Sequence, residues 1–226
     1  MSAHPVVTPG RSATTILSGG VVSLATVIAV IGLVIAAFFN PLWIGFEQER
    51  VGVPAITGYT PDQVHAVTGS ILADLFVGPP NFAAAVNGQP VLDAAERSHM
   101  VDVRSVLLGF VIVVGIASAA LVAILAAKRR RAWAWRAVAR GSGTLVLVGI
   151  VVGVAVLFFF DTAFLLFHVV FFPQGNFSFD PRTERLTQLF PDQFWTETSI
   201  GIAALGLTLA IAVTVFARRR ASRLAD

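Results

Sequence analysis

The sequence has no cysteine. That excludes disulfide frameworks, thiolate metal sites and thiol redox chemistry. Charge is scarce too: Asp, Glu, Lys and Arg make up 13% of the chain, where a soluble domain carries about a quarter. An ordinary cytosolic globule is thereby excluded. No HExxH helix is present, so the zincin reading lacks its motif, and no GxSxG nucleophile elbow occurs. Histidine is limited to four residues. There is no internal repeat and no low-complexity segment.

What fills the chain is apolar: 56% of its 226 residues are hydrophobic and the mean hydropathy is +0.80. A bilayer core of about 30 Å needs roughly 20 apolar residues in a helix. Four stretches qualify, predicting transmembrane helices at about 16–39, 103–127, 144–167 and 199–217. The first run is too long for a typical signal-peptide core, so it reads as an uncleaved anchor. The first dozen residues read as disordered. The whole is expected to be one integral membrane domain over 1–226, an all-α membrane protein. Its extracytoplasmic cap takes in segments 40–102 and 168–198.

The basic residues set the orientation. Lys128, Arg129, Arg130, Arg131, Arg136 and Arg140 fall in one loop region, Arg218, Arg219, Arg220 and Arg223 near the C-terminus, and Arg11 near the N-terminus. Asp226 is the one acid on that side. A pI of about 10.5 therefore reflects topology and lipid headgroups, and no nucleic-acid partner is expected. Trp133 and Trp135 read as interface anchors. Both termini are expected on the cytoplasmic face of a cell-membrane, multi-pass protein, with any active site extracytoplasmic.

The cap has its own helix signals. Thr60-Pro61-Asp62-Gln63 is a capping box with proline at the first helical position. Val64, Val67, Ile71, Leu72 and Leu75 then recur at helical spacing, up to Gly78-Pro79-Pro80. This helix is expected to lay its apolar face on the bundle or on the lipid surface. Asp93-Ala94-Ala95-Glu96 starts another helix, running unbroken into the second span. Asp180-Pro181 with Glu184 starts a short one that ends at Phe190-Pro191. Segment 42–58, rich in Gly, Val and Ile, admits short strands. Phenylalanines crowd the same level (Phe164, Phe167, Phe171, Phe172, Phe177 and Phe179 among them), fitting an interfacial waist or a lipid-lined pocket.

Candidate chemistry lies at the outer ends of the second and third spans. His99 and Asp102 share a helical face, Glu96 sits one turn before His99, and Arg104 follows near the membrane boundary. Asp161 and His168, seven apart, share a face of the third span. A carboxylate among Phe158, Phe159, Phe160 and Phe164 is costly unless paired, which marks Asp161 as a functional candidate. A carboxylate beside an imidazole fixes its tautomer and raises its basicity. A histidine with a free-state pKa of about 6.5 can take and return a proton at neutral pH. His4 and His65 read as structural or incidental. The same polar residues also fit helix capping or headgroup contact in a non-enzymatic accessory or ligand-binding membrane protein. A metal-dependent lipid or peptide hydrolase is a further alternative.

Three stretches together resemble a known family. Glu96-Arg97-Ser98-His99-Met100-Val101-Asp102-Val103 is similar to its E-x-x-H-M-x-D-V signature. Phe160-Asp161-x-x-Phe164-x-x-Phe167-His168-x-x-Phe171-Phe172 resembles the second signature. Phe179-Asp180-Pro181 with Leu189-Phe190-Pro191-Asp192-Gln193-Phe194-Trp195 resembles the third. The family is that of the bacterial lipoprotein intramolecular transacylases, four-helix membrane enzymes, and the resemblance spans essentially the whole chain. It implies an acyltransferase that moves the sn-2 acyl chain of an S-diacylglyceryl-Cys lipoprotein onto the α-amino group of that Cys. It also implies that His99 and His168 are catalytic, with Glu96, Asp102, Asp161 and Arg104 in support. The implied partners are the lipoprotein N-terminus with its diacylglyceryl group and membrane lipid, with neither metal nor cofactor.

Overall fold

The computed structural model describes residues 13–225; the first dozen residues, read above as disordered, lie outside them. The described elements are α1 (Ala13–Phe38), α2 (Pro41–Arg50), α3 (Val53–Thr57), α4 (Pro61–Phe76), β1 (Ala85–Val86), β2 (Gln89–Pro90), α5 (Ala94–Lys128), α6 (Ala132–Phe171), α7 (Arg185–Leu189) and α8 (Asp192–Ser222). Four helices are long and apolar enough to cross a membrane: α1 over Leu17–Phe38, α5, α6 and α8. The chain is an all-α, multi-pass membrane protein with a two-stranded hairpin.

Helix length explains how a cap can stand on the bundle. At 1.5 Å per residue, the 35 residues of α5 and the 40 of α6 span roughly 52 and 60 Å, against a hydrocarbon core of about 30 Å. Both helices therefore project beyond the apolar layer. In α6 the helical backbone breaks once, at Phe159 (φ −137°, ψ 41°), and then resumes.

Within the bundle, close approach replaces hydrophobic sorting, because lipid is as apolar as leucine. A Cβ on Gly141 of α6 would lie 2.3 Å from the Ser23 carbonyl oxygen of α1, and one on Gly32 of α1 would lie 2.3 Å from Val114 of α5. Ser23 Oγ donates to the Ala137 carbonyl at 2.8 Å, and buried Thr214 of α8 donates to Ser142 Oγ of α6 at 2.8 Å. Val22, Ala137, Val138, Ala139 and Ala217 form a small core at this end.

The cap has a core of its own. Val64, Val67, Ile71 and Leu75 of α4 bury against Phe82, Leu92, Met100 and Leu189. The apolar face of α4 thus meets other cap residues and the outer turns of α5, so of the two expected surfaces it takes the bundle. Segment 42–58 makes α2 and α3 rather than strands. Asn40 accepts from the Leu42 and Trp43 amides at 3.0 Å each, with Pro41 at the first helical position, so capping overrides the β-branched composition. The strands form instead around Asn87-Gly88, both at positive φ, the pair favoured in two-residue hairpin turns.

Polar pairs knit the cap together, and one of them ties it to α8. Buried Gln48 donates to the Leu189 carbonyl at 2.9 Å and accepts from Thr68 at 2.9 Å. Buried Glu47 holds Arg50 through two hydrogen bonds, and Arg50 also pairs with Glu197 of α8. His65 Nε2 lies 3.0 Å from Glu49 Oε1, a surface contact.

Candidate active site

Asp93 and Glu96 begin the construction. Asp93 accepts from the Glu96 amide at 2.8 Å, and Glu96 Oε2 accepts from the Asp93 amide at 2.7 Å, a reciprocal cap that fixes the start of α5. The other carboxylate oxygen of Glu96 accepts from the Leu186 amide at 2.6 Å. Glu96 is 1% exposed, and backbone N–H groups take both its oxygens. It joins the starts of α5 and α7, and no hydrogen bond runs from it to His99.

Arg104 is also committed to the scaffold. Its Nη1 donates to the carbonyls of Gly78, at 2.7 Å, and of Asp74. These lie at and just past the C-terminal end of α4, where a cation meets the unsatisfied carbonyls and the negative end of the helix dipole. Glu96 and Arg104 thus hold the segment between them, and with it His99, against the cap.

His99 is 5% exposed, and His168 is half-buried near the end of α6. Their ring centroids lie 6.1 Å apart with planes inclined by 26°. Phenylalanines wall the pair. Phe172 lies 4.8 Å from the His99 ring and 5.6 Å from the His168 ring, and Phe179 lies 5.6 Å from His99. Phe164 and Phe177 lie 4.2 and 5.1 Å from His168. The aromatic crowding seen in the sequence is a box around two imidazoles.

His168 Nδ1 lies 2.8 Å from the Phe164 carbonyl oxygen. A carbonyl only accepts, so Nδ1 carries the proton and Nε2 keeps its lone pair. Asp161 does not provide this contact. Seven residues along a helix is a rise of about 10 Å, so sharing a face does not bring a carboxylate to a ring. Asp161 is exposed, two residues past the break at Phe159.

Asp102 is half-buried and one turn from His99, yet its carboxylate accepts from two amides instead: Gln174 at 2.8 Å and Asn176 at 2.7 Å. Those residues belong to the link after α6, in the run Pro173-Gln174-Gly175-Asn176. Two buried polar atoms here have no partner among the described residues, His99 Nδ1 and Asn176 Oδ1, and the Asn176 side chain lies beside the His99 ring. One further hydrogen bond would complete a chain from Asp102 through Asn176 to His99. Asn176 and Gln174 went unnoticed in the sequence. Their signal was two amides interrupting an otherwise aromatic stretch directly after the second signature. Among the described residues, no three His, Asp or Glu side chains gather as a metal-binding set.

The chain matches the family model described as lipoprotein intramolecular transacylase Lit over residues 19–195. No curated protein matches it. Among solved structures it is similar to the membrane-integral lipoprotein intramolecular transacylase Lit from Bacillus cereus. The TM-score is 0.80 at 20% identity, covering 93% of this chain and 97% of that one. Structures of that enzyme with one histidine replaced by arginine or by alanine each match at a TM-score of 0.73 and 19% identity. They cover 94% and 93% of this chain and 95% and 94% of theirs. At that identity the structures speak for the fold, and the family model, spanning most of the chain, decides the membership. This protein belongs to the lipoprotein intramolecular transacylase family and is a membrane acyltransferase.

Proposed function

We propose that the protein moves the sn-2 acyl chain of an S-diacylglyceryl-Cys lipoprotein onto the α-amino group of the same Cys, using His99 and His168 as its acid–base pair. The observation that carries this is the convergence of two imidazoles, 6.1 Å apart, inside a box of phenylalanines. Both partners of the transfer belong to one substrate, so the site must hold amine and ester together and move protons. Positioning of this kind substitutes for a protein nucleophile.

An α-ammonium with a pKa of about 7.7–8.0 loses a proton to a neutral imidazole near pH 7. The freed amine attacks the sn-2 ester carbonyl, and a C–N bond forms. The tetrahedral centre then expels the glycerol oxygen: the nitrogen gives up its second proton, the oxygen takes up one proton as the C–O bond breaks, and the proton in excess passes to water. The products are an amide at the Cys nitrogen and a free sn-2 hydroxyl. The tautomer held by the Phe164 carbonyl leaves His168 Nε2 as the base for the first step. His99, served by Asn176 and Asp102, is the donor to the carbonyl or leaving oxygen. The phenylalanine walls suit the acyl chains and keep bulk water from the ester.

The topology follows the charge bias. Both termini and the arginine-rich ends of α5, α6 and α8 face the cytoplasm, and the cap with its histidines faces out, at the outer leaflet. Substrate then reaches the box from the surrounding lipid.

Mass spectrometry of a model lipoprotein N-terminus after co-expression with this chain tests the reading. The expected product carries an N-acyl group and one remaining ester chain. An unchanged diacylglyceryl-Cys with a free amine would defeat it. So would full conversion by both His99→Ala and His168→Ala.

A further inference from the structure

The opposite end of α6 carries a second site. A cleft of about 1230 Å³ opens between the first turns of α6 and the last turns of α8. Its lining includes Arg136 and Arg140 from α6 and Arg218 from α8, with Trp133, Thr144 and Leu147. His168 lies 28 residues along α6 from Arg140, roughly 42 Å if the helix ran straight, so this cleft is remote from the histidines.

Its charge is unbalanced. Arg136 and Arg140 stand four apart on one face of α6, a like-charge spacing that destabilises a helix. Arg218 adds a third guanidinium from across the cleft. Among the described residues, no acidic side chain lines it. Among the described residues, none of the three arginines has a salt bridge, although Arg50, His65 and Arg182 all have one. Arg140 reaches α1: a Cβ on Gly19 would lie 2.8 Å from its Nη2, so glycine leaves the space the guanidinium fills. Arg129, Arg130, Arg219 and Arg220, which do not line the cleft, already provide charge on this side.

The lining also changes character with depth. Arg136 and Arg140 come first along α6, then Thr144, then Leu147, each three or four residues on and so along one stripe running toward the bilayer. Trp133 lies at the charged end, as an interface residue does. Charge at the rim and an apolar floor match a molecule with an anionic head and a hydrocarbon body. Guanidinium forks bind phosphate oxygens in pairs. The volume exceeds the roughly 300–1,000 Å³ of small-molecule pockets, which suits a headgroup with its glycerol and first methylenes.

We propose that this cleft binds the phosphodiester headgroup of an anionic glycerophospholipid from the adjoining leaflet, the cytoplasmic one under the topology above. The binding itself does not depend on the proposed reaction. Purified full-length protein in detergent is titrated with phosphatidylglycerol, with phosphatidylcholine of the same chains, and with inorganic phosphate, and bound lipid is read by native mass spectrometry alongside thermal stability. Phosphatidylglycerol should be retained and raise the melting temperature more than phosphatidylcholine. The triple variant R136Q/R140Q/R218Q should lose the preference, at about fivefold in affinity per arginine. The variant R129Q/R130Q/R219Q removes the same charge outside the cleft and should keep it; each single cleft variant gives a graded readout should the triple fail to fold. Equal retention of the two lipids overturns the proposal. Equal loss in both triple variants assigns the effect to surface charge and also overturns it. A stabilisation by inorganic phosphate that matches phosphatidylglycerol makes the ligand a soluble anion, against the lipid.

Discussion

His99 stands on a helix end locked into the cap, whereas His168 stands on a helix end that faces mostly outward. Around His99, Glu96 and Met100 are buried, Glu96 bonds two backbone amides, and Arg104 grips the end of α4. Around His168, Leu165, Leu166, Val169 and Val170 are all more than half exposed, and the helix has broken once at Phe159. One wall is cross-linked by polar contacts and the other is open toward lipid. Under the proposed function a two-chain substrate enters from the membrane, and a site closed on both sides would exclude it. Between these walls, the scaffold places its buried polar groups on the His99 side.

The largest effect should come from removing either ring. His99→Ala and His168→Ala should each lower the transfer rate by about 10²–10⁴-fold, the usual yield of a positioned acid or base. Single-turnover assays in lipid that showed His168 alone to matter would make the comparison one-sided. Next is the locked wall itself. Glu96→Ala removes the acceptor of two part-buried hydrogen bonds, from the Asp93 and Leu186 amides, at about 1–3 kcal/mol each. Thermal unfolding in detergent should register a loss of about 2–5 kcal/mol, while Thr187→Ala, nearby on α7, should cost far less. An unchanged melting temperature in Glu96→Ala would show that the lock is not a lock.

A smaller effect sharpens the account of His99. Asn176→Ala should cut kcat by about tenfold, the value of one hydrogen bond linked to a charged group, with KM little changed and the pH–rate profile displaced. Asn176→Gln should restore part of the rate. A loss confined to KM would make Asn176 a substrate contact instead of a positioning residue. The smallest effect should be at Asp161. It is exposed and makes no hydrogen bond among the described residues, so Asp161→Asn should stay within about twofold in rate. A hundredfold loss in that assay would return Asp161 to the active site.

These predictions trace where sequence reasoning succeeded. The four apolar runs, the capping boxes at Thr60 and Asp93 and the pairing of His99 with His168 at one level were all legible. Hydrophobic length and helix-capping chemistry are local properties, so neighbouring residues alone express them. The acid partners were less legible. Spacing of three or seven places side chains on one face, but it does not decide which atom a carboxylate meets. Asp102 found two amides from the link after α6, Glu96 found the start of α7, and Asp161 found no hydrogen-bond partner among the described residues. The Asn87-Gly88 turn was present in the sequence as a hairpin signal and was overlooked beside longer patterns.

The amino-acid sequence by itself determined that this chain crosses a membrane four times, where its charge collects, and which two imidazoles stand at one level. Those features follow from transfer energies and from helical periodicity, which act within a segment. The tertiary structure alone decided that the rings come within 6.1 Å, that an amide of the α6–α7 link stands between Asp102 and His99, and that three arginines from two helices share one cleft. Such arrangements depend on how distant segments pack, through glycine-mediated approach and buried hydrogen bonds, and no local pattern encodes them.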